Sequence, residues 1–506
     1  MMFEVIPNGW AASSIGEVAE YINGRAFKPS EWKSEGRPII RIQNLNDEEA
    51  RYNFSSAQHE EKYLVKKGDL LFAWSASLGV HIWQGDDAWL NQHIFNIKVH
   101  NCTTKGFLYY LLNKFTRELY AKAHGSGMVH VTKGVFESTR ICLPPLAEQT
   151  RIVAKLEELF SELDKGVENL RTAQQQLKVY RQALLKHAFE GKLTAEWRAQ
   201  NPDKLESAEA LLARIQQERE ARYQQQLAEW QAAQQAWEAS GKTGSKPAKP
   251  KAPKVLPALT AEELAGLPEL PEGWCWIKLG QIVSSVKDGP HFSPKYTEDG
   301  IPFISGGNVR PNGVDFSSAK KISPELHEEL CKRCKPEVGD ILYTKGGTTG
   351  IARVNTYNFE FNVWVHVAVL KPLDSIKSFY LQHALNSEFC YAQARKYTHG
   401  VGNQDLGLTR MVEIILPICS EREQERLVEL VDDKISVIDQ IENTITTSLR
   451  QAEAMRQSIL KKAFSGQLVP QNPDDEPASV LLARIRAERD AQQPATRRGR
   501  PRRAEA

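Results

Sequence analysis

The chain has 506 residues, 41% of them hydrophobic, enough to bury two ordinary domain cores together with long connecting helices. Its 65 Lys and Arg against 63 Asp and Glu leave a formal charge of +2, so no global charge announces a polyanion partner and charge must be judged locally. Residues 1–10 hold neither a basic nor an apolar leader pattern and no run of about 18 apolar residues occurs, which reads as a cytoplasmic chain; seven scattered cysteines read as reduced thiols, not as a disulfide framework.

In chain order, residues 1–145 alternate short apolar runs, such as Ile39-Ile40-Arg41-Ile42 and Leu70-Leu71-Phe72-Ala73, with Gly/Asn/Asp turns. That pattern predicts a strand-rich mixed domain, with one helix embedded from Gly106 to His124. Residues 146–190 have a leucine heptad, Leu156, Leu163, Leu170, Leu177 and Leu184, with Ile152, Leu159, Gly166, Ala173 and Tyr180 beside it, which is coiled-coil patterning. Residues 191–238 form a helical arm, and residues 239–269 a linker rich in Lys and Pro that reads as semi-extended. Residues 270–418 are a second strand-rich domain. Residues 419–465 are a second long helix, with Val431, Ile438, Ile445, Ala452 and Ile459 on its main stripe and Leu427, Ile441 and Met455 beside it. Residues 466–506 are an accessory helix and a basic tail, in which Arg498-Gly499-Arg500-Pro501 resembles the core of an AT-hook. Each long helix, about 42 residues at about 1.5 Å each, spans roughly 60 Å, and the two are expected to pack antiparallel on each other as a rigid spacer.

The order of these segments is a repeat. Pro7-Asn8-Gly9-Trp10 returns as Pro271-Glu272-Gly273-Trp274, Gly68-Asp69-Leu70-Leu71 as Gly339-Asp340-Ile341-Leu342, and Leu184-Leu185-Lys186-His187-Ala188-Phe189 as Ile459-Leu460-Lys461-Lys462-Ala463-Phe464. A period of half the chain is too long for a solenoid unit, so each copy is a domain with its own core. The fold class is therefore α/β (α+β): two similar strand-rich domains separated by two long coiled-coil-like helices, with a pseudo-twofold character.

No catalytic motif accompanies the repeat. Lys345-Gly346-Gly347-Thr348-Thr349-Gly350 has glycines but not the order of a P-loop, Leu143-Pro144-Pro145-Leu146 lacks the polar residue of an amino-methyltransferase motif, and Pro473-Asp474-Asp475-Glu476 lacks the Glu-x-Lys of a nuclease. Cys331-Lys332-Arg333-Cys334 has metal-ligand spacing but no second pair, and reads as structural.

Recognition loops are what the chain offers instead. After an apolar strand in each copy come Trp74-Ser75-Ala76-Ser77-Leu78-Gly79 and Lys345-Gly346-Gly347-Thr348-Thr349-Gly350. A second pair ends at the shared Asn44 and Asn308, with Arg41 and Gln43 in one copy against Ser305 and Gly307 in the other. A third is His124-Gly125-Ser126-Gly127 with Lys133, against His399-Gly400-Val401-Gly402 with Gln404. Arg and Gln can make bidentate contacts with guanine and adenine edges, while Ser, Thr, Lys and backbone N–H groups hold phosphates. The candidate DNA-binding set is Arg41, Gln43, Asn44, Ser75, Ser77, Lys133, Asn308, Arg310, Lys345, Thr348, Thr349 and Gln404. No catalytic or metal site is expected.

The Pro-x-Gly-Trp starts, the paired Gly-Asp motifs, Leu143-Pro144-Pro145-Leu146-Ala147-Glu148-Gln149, and the closing segments Leu185 to Thr194 and Leu460 to Leu468 occur in tandem and in order. In this the chain resembles the specificity (S) subunit of a type I restriction-modification system, the HsdS family, over nearly its whole length. The resemblance implies a non-catalytic reader of a bipartite, asymmetric DNA target. Its partners would be double-stranded DNA, two modification subunits that bind S-adenosylmethionine, and through them two restriction subunits that use ATP and Mg; this chain itself would bind no cofactor. The alternatives are the recognition part of a fused methyltransferase and a helical scaffold that binds protein.

Overall fold

A computed structural model describes residues 6–47, 49–75, 77–122, 132–250, 252, 256–400 and 405–492. The chain divides into two compact units, Met1–Arg171 with Thr446–Ala506, and Thr172–Ile445.

In the first unit, Ala11–Ser14 pairs antiparallel with Arg140–Leu143 and closes the recognition domain on itself. Between them lie two four-stranded sheets. One runs in the order Ala19–Asn23, Ile94–Val99, Leu70–Ala73, Gly79–Ile82; the other Asn53–Ser55, Arg37–Ile40, Ala88–Leu90, Leu64–Val65. Leu70-Leu71-Phe72-Ala73 is wholly buried because both faces are covered: Leu70 and Phe72 enter the main core and Leu71 a second cluster with Ile40, Val65 and Leu90. The predicted embedded helix is Lys105–Lys122.

The second unit repeats the plan. Cys275–Lys278 pairs antiparallel with Ile415–Ile418. A four-stranded sheet follows the order Val283–Asp288, Val367–Pro372, Ile341–Thr344, Ala352–Val354, beside a three-stranded one of Lys320–Ile322, Ile301–Ile304 and Asn362–Val363. Ile341 and Tyr343 face the main core and Leu342 the second cluster, the same partition by alternation. The Gly-Asp motif has the same task in both units. Asp69 accepts from Lys66 N (3.1 Å) and Lys98 Nζ (3.1 Å), and Asp340 from Glu337 N (2.8 Å) and Lys371 Nζ (2.8 Å), so each ties the start of its central strand to the neighbouring one.

The long helices are Leu146–Phe189, 44 residues, and Glu421–Ala463, 43 residues. Within the first unit the beginning of one meets the end of the other: Ile152, Leu156 and Phe160 share a core with Leu460, Ala463 and Phe464, and Arg456 pairs with Asp164 while its guanidinium lies 4.5 Å from the Phe160 ring centroid. Within the second, Leu185 and Phe189 share a core with Leu427 and Val431, and Arg181 pairs with Asp439 and with Glu442 (3.4 Å). The pairing is antiparallel in each unit. The seam is narrower than the sequence suggests: Leu163, Leu170 and Leu177 are half-buried, and Tyr180, Ile441 and Met455 are exposed, because two helices alone cover a single stripe.

The segments after the helices explain the closing motifs. A Cβ on Gly466 would sit 2.8 Å from Pro7, and one on Gly191 would sit 2.5 Å from Pro271, so each helix end receives the Pro-x-Gly-Trp start of a domain and only glycine fits there. Ala478–Gln492 buries Leu481, Leu482 and Ile485 in the first core, its Ala478 N donating to Gly9 O (2.9 Å) and Arg486 pairing with Glu17 (2.7 Å). The arm, Ala208–Ala239, buries Leu211 and Ile215 in the second core in the same way. Even the ion pair repeats, Glu206 with Arg214 (2.9 Å) and Glu476 with Arg484 (3.0 Å). The linker is extended but tethered, since Trp230 Nε1 donates to Pro247 O (3.1 Å), Trp237 Nε1 to Gly244 O (3.2 Å), and Leu256 is buried. All seven cysteines are free, no cluster of metal-ligating groups occurs among the described residues, and no described helix is long and apolar enough to cross a membrane.

Candidate nucleic-acid interface

In the second recognition domain described segments of all three loops singled out by the sequence come together, and in the first those at Arg41 and Trp74 do. In the second, Lys345 N donates to His366 O (2.9 Å), Leu406 N to Lys345 O (2.8 Å), and a Cβ on Gly306 would lie 2.9 Å from Gly346 O. The segments beginning at Ser305, Lys345, Trp364 and His399 are thereby held against one another, Gly346 and His399 each forming a bridge to Asp405. In the first domain Trp74 N donates to His93 O (3.1 Å) and Asn91 N to Ile40 O (3.1 Å), bringing together the segments at Arg41, Trp74 and Asn91.

Two kinds of residue emerge from the candidate set. Gln43, Lys133, Arg310 and Thr348 are exposed, and Arg41 and Ser77 are half-buried. The Arg41 guanidinium lies over the Trp32 ring at 5.2 Å, a stacking that orients its planar donors. Gln43 Nε2 makes one long bond to Arg51 O (3.4 Å). Lys133 Nζ donates to Tyr21 O (2.8 Å). Arg310 pairs with Asp315 (3.0 Å), whose carboxyl is held down at about 2 by the hydroxyls of Ser317 and Ser318 and then by Arg310.

The others are buried, which corrects their reading as surface contacts. Asn44 Oδ1 accepts from Arg41 N (3.1 Å) while its amide donates to Ala50 O (3.1 Å) and Arg51 O (3.2 Å). Asn308 does the same with Ser305 N (2.8 Å), Asp315 O (3.0 Å) and Ser318 Oγ (3.2 Å). Both asparagines are buried and clamp a loop. Lys345 is 3% exposed and lies between Asp405 (2.7 Å) and Asp288 (3.4 Å). Ser75 and Thr349 are also buried. Gln404, the loop tips at 124–127 and 401–402, and the AT-hook-like tail lie outside the described residues.

Sequence reasoning missed the aromatic backing of the first domain, where Arg37 lies 4.7 Å over Trp89 and Arg25 4.8 Å over Phe27. It also missed the turns ending at His93 and His366; the signal was a histidine at the same place in both copies.

A second shared device fixes each domain to its helix. Gln149 Oε1 accepts from Thr103 Oγ1 (3.0 Å) and Thr104 N (2.9 Å), and its Nε2 donates to Cys102 O and Pro144 O. Gln424 repeats this with Lys377 N, Ser375 O and Cys419 O. The preceding glutamates, Glu148 and Glu423, are each 1% exposed. Glu148 accepts from Trp10 Nε1 (3.1 Å), and burial pushes its carboxyl above the ordinary range. Glu423 is paired with Arg198 (2.5 Å) and Thr194 Oγ1 (2.6 Å).

Residues 7–170 and 271–451 each match the family described as the type I restriction modification DNA specificity domain. The chain is 27% identical over 501 residues to the type I restriction enzyme EcoBI specificity subunit of Escherichia coli, covering 96% of this chain and 94% of that one. It is 22% identical over 531 residues to the EcoKI specificity subunit of Escherichia coli strain K12, covering 96% and 97%. A chain in a solved structure concerned with complex assembly and conformational transition of the type I R-M system superposes with a TM-score of 0.59 at 18% identity, covering 92% of this chain and all of that one, and shares the fold. The chain belongs to the type I restriction-modification DNA specificity family, and its role is DNA recognition within such a system.

Proposed function

We propose that each recognition domain reads one half of a split, asymmetric DNA sequence, and that the long helices set the number of unread base pairs between the halves and dock modification subunits. The observation that carries this reading is the paired convergence of loops: the backbone contacts repeat, Trp74 N to His93 O and Lys345 N to His366 O, while the side chains around them differ. One scaffold used twice with different surfaces is what two unlike half-sites require. The chain itself is non-catalytic on this reading. S-adenosylmethionine belongs to two modification subunits, and ATP and Mg²⁺ to two restriction subunits recruited through them, in the cytoplasm.

The test is genome-wide methylation mapping in cells that express the chain with its modification subunit. A two-part methylated sequence with a fixed spacer is expected. Methyl transfer by the purified chain alone, or no dependence of methylation on this chain, would contradict it. Inserting one heptad after Leu170 and another after Ile445 adds about 10 Å at about 1.5 Å per residue. That is about three base pairs at roughly 3.4 Å each, so the spacer is expected to lengthen while both half-sequences stay the same.

A further inference from the structure

Each recognition domain contains a three-residue turn that crosses from one sheet to the other. Asn91-Gln92-His93 joins Ala88–Leu90 to Ile94–Val99, and Trp364-Val365-His366 joins Asn362–Val363 to Val367–Pro372. The strand entering each turn is parallel to the strand that leads into the Asn-clamped loop, Ile40 lying beside Leu90 and Ile304 beside Val363. The turn therefore emerges next to that loop, in the middle of the converging segments.

Two features set both turns apart from ordinary connections, and a third marks the first turn alone. Space is kept beside them: a Cβ on Gly24 would lie 2.0 Å from Asn91 O and one on Gly289 1.8 Å from Val363 O, so in both copies the neighbouring strand is followed at once by a residue without a side chain. His93 has φ 73°, a left-handed conformation that a non-glycine residue rarely adopts and that marks functional sites when it persists. Finally, Nδ1 of His93 and Nδ1 of His366 are both buried with no hydrogen-bond partner among the described residues. Asn91 Oδ1, Trp364 Nε1, and Nη1 of Arg25, the residue bridged to Asn91, share that condition. Buried polar atoms without partners are few in folded proteins, and here they gather on the same turn twice.

We propose that these turns are base-reading elements, with His93 a specificity-determining side chain for the first half of the DNA target and His366 for the second. This rests on the reading of the chain as a two-part DNA reader. Imidazole nitrogens and the Asn91 amide complement the N7, O6, N6 and O4 groups of base edges in the major groove. His93 and His366 are themselves half-exposed, so each ring offers an edge other than its buried Nδ1 to DNA seated on the converging loops, and a wrong base that leaves that edge unmatched is the basis of discrimination. The neighbouring side chains differ, Asn91 and Gln92 in one turn and Trp364 and Val365 in the other, as two unlike half-sites demand.

The test uses the full chain expressed with its modification subunit. His93→Asn keeps a side chain that tolerates left-handed backbone, and His366→Gln needs no unusual backbone. Methylation mapping is expected to show discrimination relaxed by about tenfold or more at one base position, a size in keeping with loss of a base contact, in the first half for His93→Asn and in the second for His366→Gln. An unchanged sequence and unchanged discrimination in both variants, with altered thermal stability alone, would assign these histidines to packing or bound water and overturn the proposal. If His93→Asn fails to fold, His93→Gly preserves the turn and the same readout decides. Failure of the wild-type chain to direct any two-part methylation would overturn the underlying reading instead, and with it this one.

Discussion

In the first recognition domain a neutral hydrogen bond, Trp74 Nε1 to Asn23 Oδ1 (3.1 Å), ties the loop after the central strand to the strand end beside it. In the second the matching tie is ionic, with Lys345 between Asp288 and Asp405, and Asp288 is paired in turn with Arg333 (2.6 Å). The helix latch differs in the same sense. Glu148 has a tryptophan N–H for its partner where Glu423 has an arginine and a hydroxyl. The repeat thus preserves where loops and helices are held and leaves free the chemistry that holds them. Backbone contacts fix the architecture, and side chains are open to divergence on the surface and beneath it.

The difference makes the second unit the more fragile of the two toward loss of a single charge. Arg198→Met leaves Glu423 buried without its cation, and breaking such a pair costs about 3–5 kcal/mol. Denaturant unfolding followed by hydrogen exchange of peptides from each unit is expected to show the loss in Thr172–Ile445. Lys345→Met is expected to cost less, about 2–3 kcal/mol, because Asp288 keeps Arg333 and Asp405 is partly exposed. The matching change in the first domain, Trp74→Phe, removes one neutral hydrogen bond worth roughly 1 kcal/mol. Equal losses from Lys345→Met and Trp74→Phe would mean that the two ties are energetically the same.

A pH scan sharpens the contrast between the latches. Burial raises the Glu148 carboxyl above its ordinary 4.5, so the folded first unit binds its proton more tightly than the unfolded chain does. This contribution is fully present below pH 4.5 and is lost as pH rises through the folded value. Glu148→Gln retains an acceptor for Trp10 and is expected to flatten that fall and to stabilise the first unit at neutral pH. A steeper fall in the variant would contradict the assignment. The smallest effect is expected from the helix pair: Arg456→Ala and Arg181→Ala remove partly exposed ion pairs worth less than about 1 kcal/mol each, beside some packing on Phe160 for Arg456.

The repeat, the two cores and the helices were legible because they rest on periodicity. Leu70-Leu71-Phe72-Ala73 and Ile341-Leu342-Tyr343-Thr344 show their buried strands directly, and the leucine heptad shows its helix. The site was legible at the level of loops and not of side chains. Asn44 and Asn308 are polar, shared and adjacent to variable residues, and nothing in the sequence separates a clamp from a contact until the loop closes around it. Lys345 reads as a surface cation, but Asp288 and Asp405, far away in the sequence, meet it in the fold. The His93 and His366 turns escaped notice because a parallel strand pair, which leaves no local signature, brings them to the loops. Ile441 and Met455 match the heptad and still face outward, since periodicity gives a helix face without saying how much of it a single partner covers.

The claim that one scaffold reads two unlike half-sites is tested most directly by methylation maps of three strains, expressing the wild-type chain, Gln43→Ala and Thr348→Ala. Both residues are exposed at corresponding loop clusters of different domains. Gln43→Ala is expected to alter preference in one half of the methylated sequence and Thr348→Ala in the other, with the spacer unchanged. A change in both halves from either single substitution, or a change in the same half from both, would contradict it.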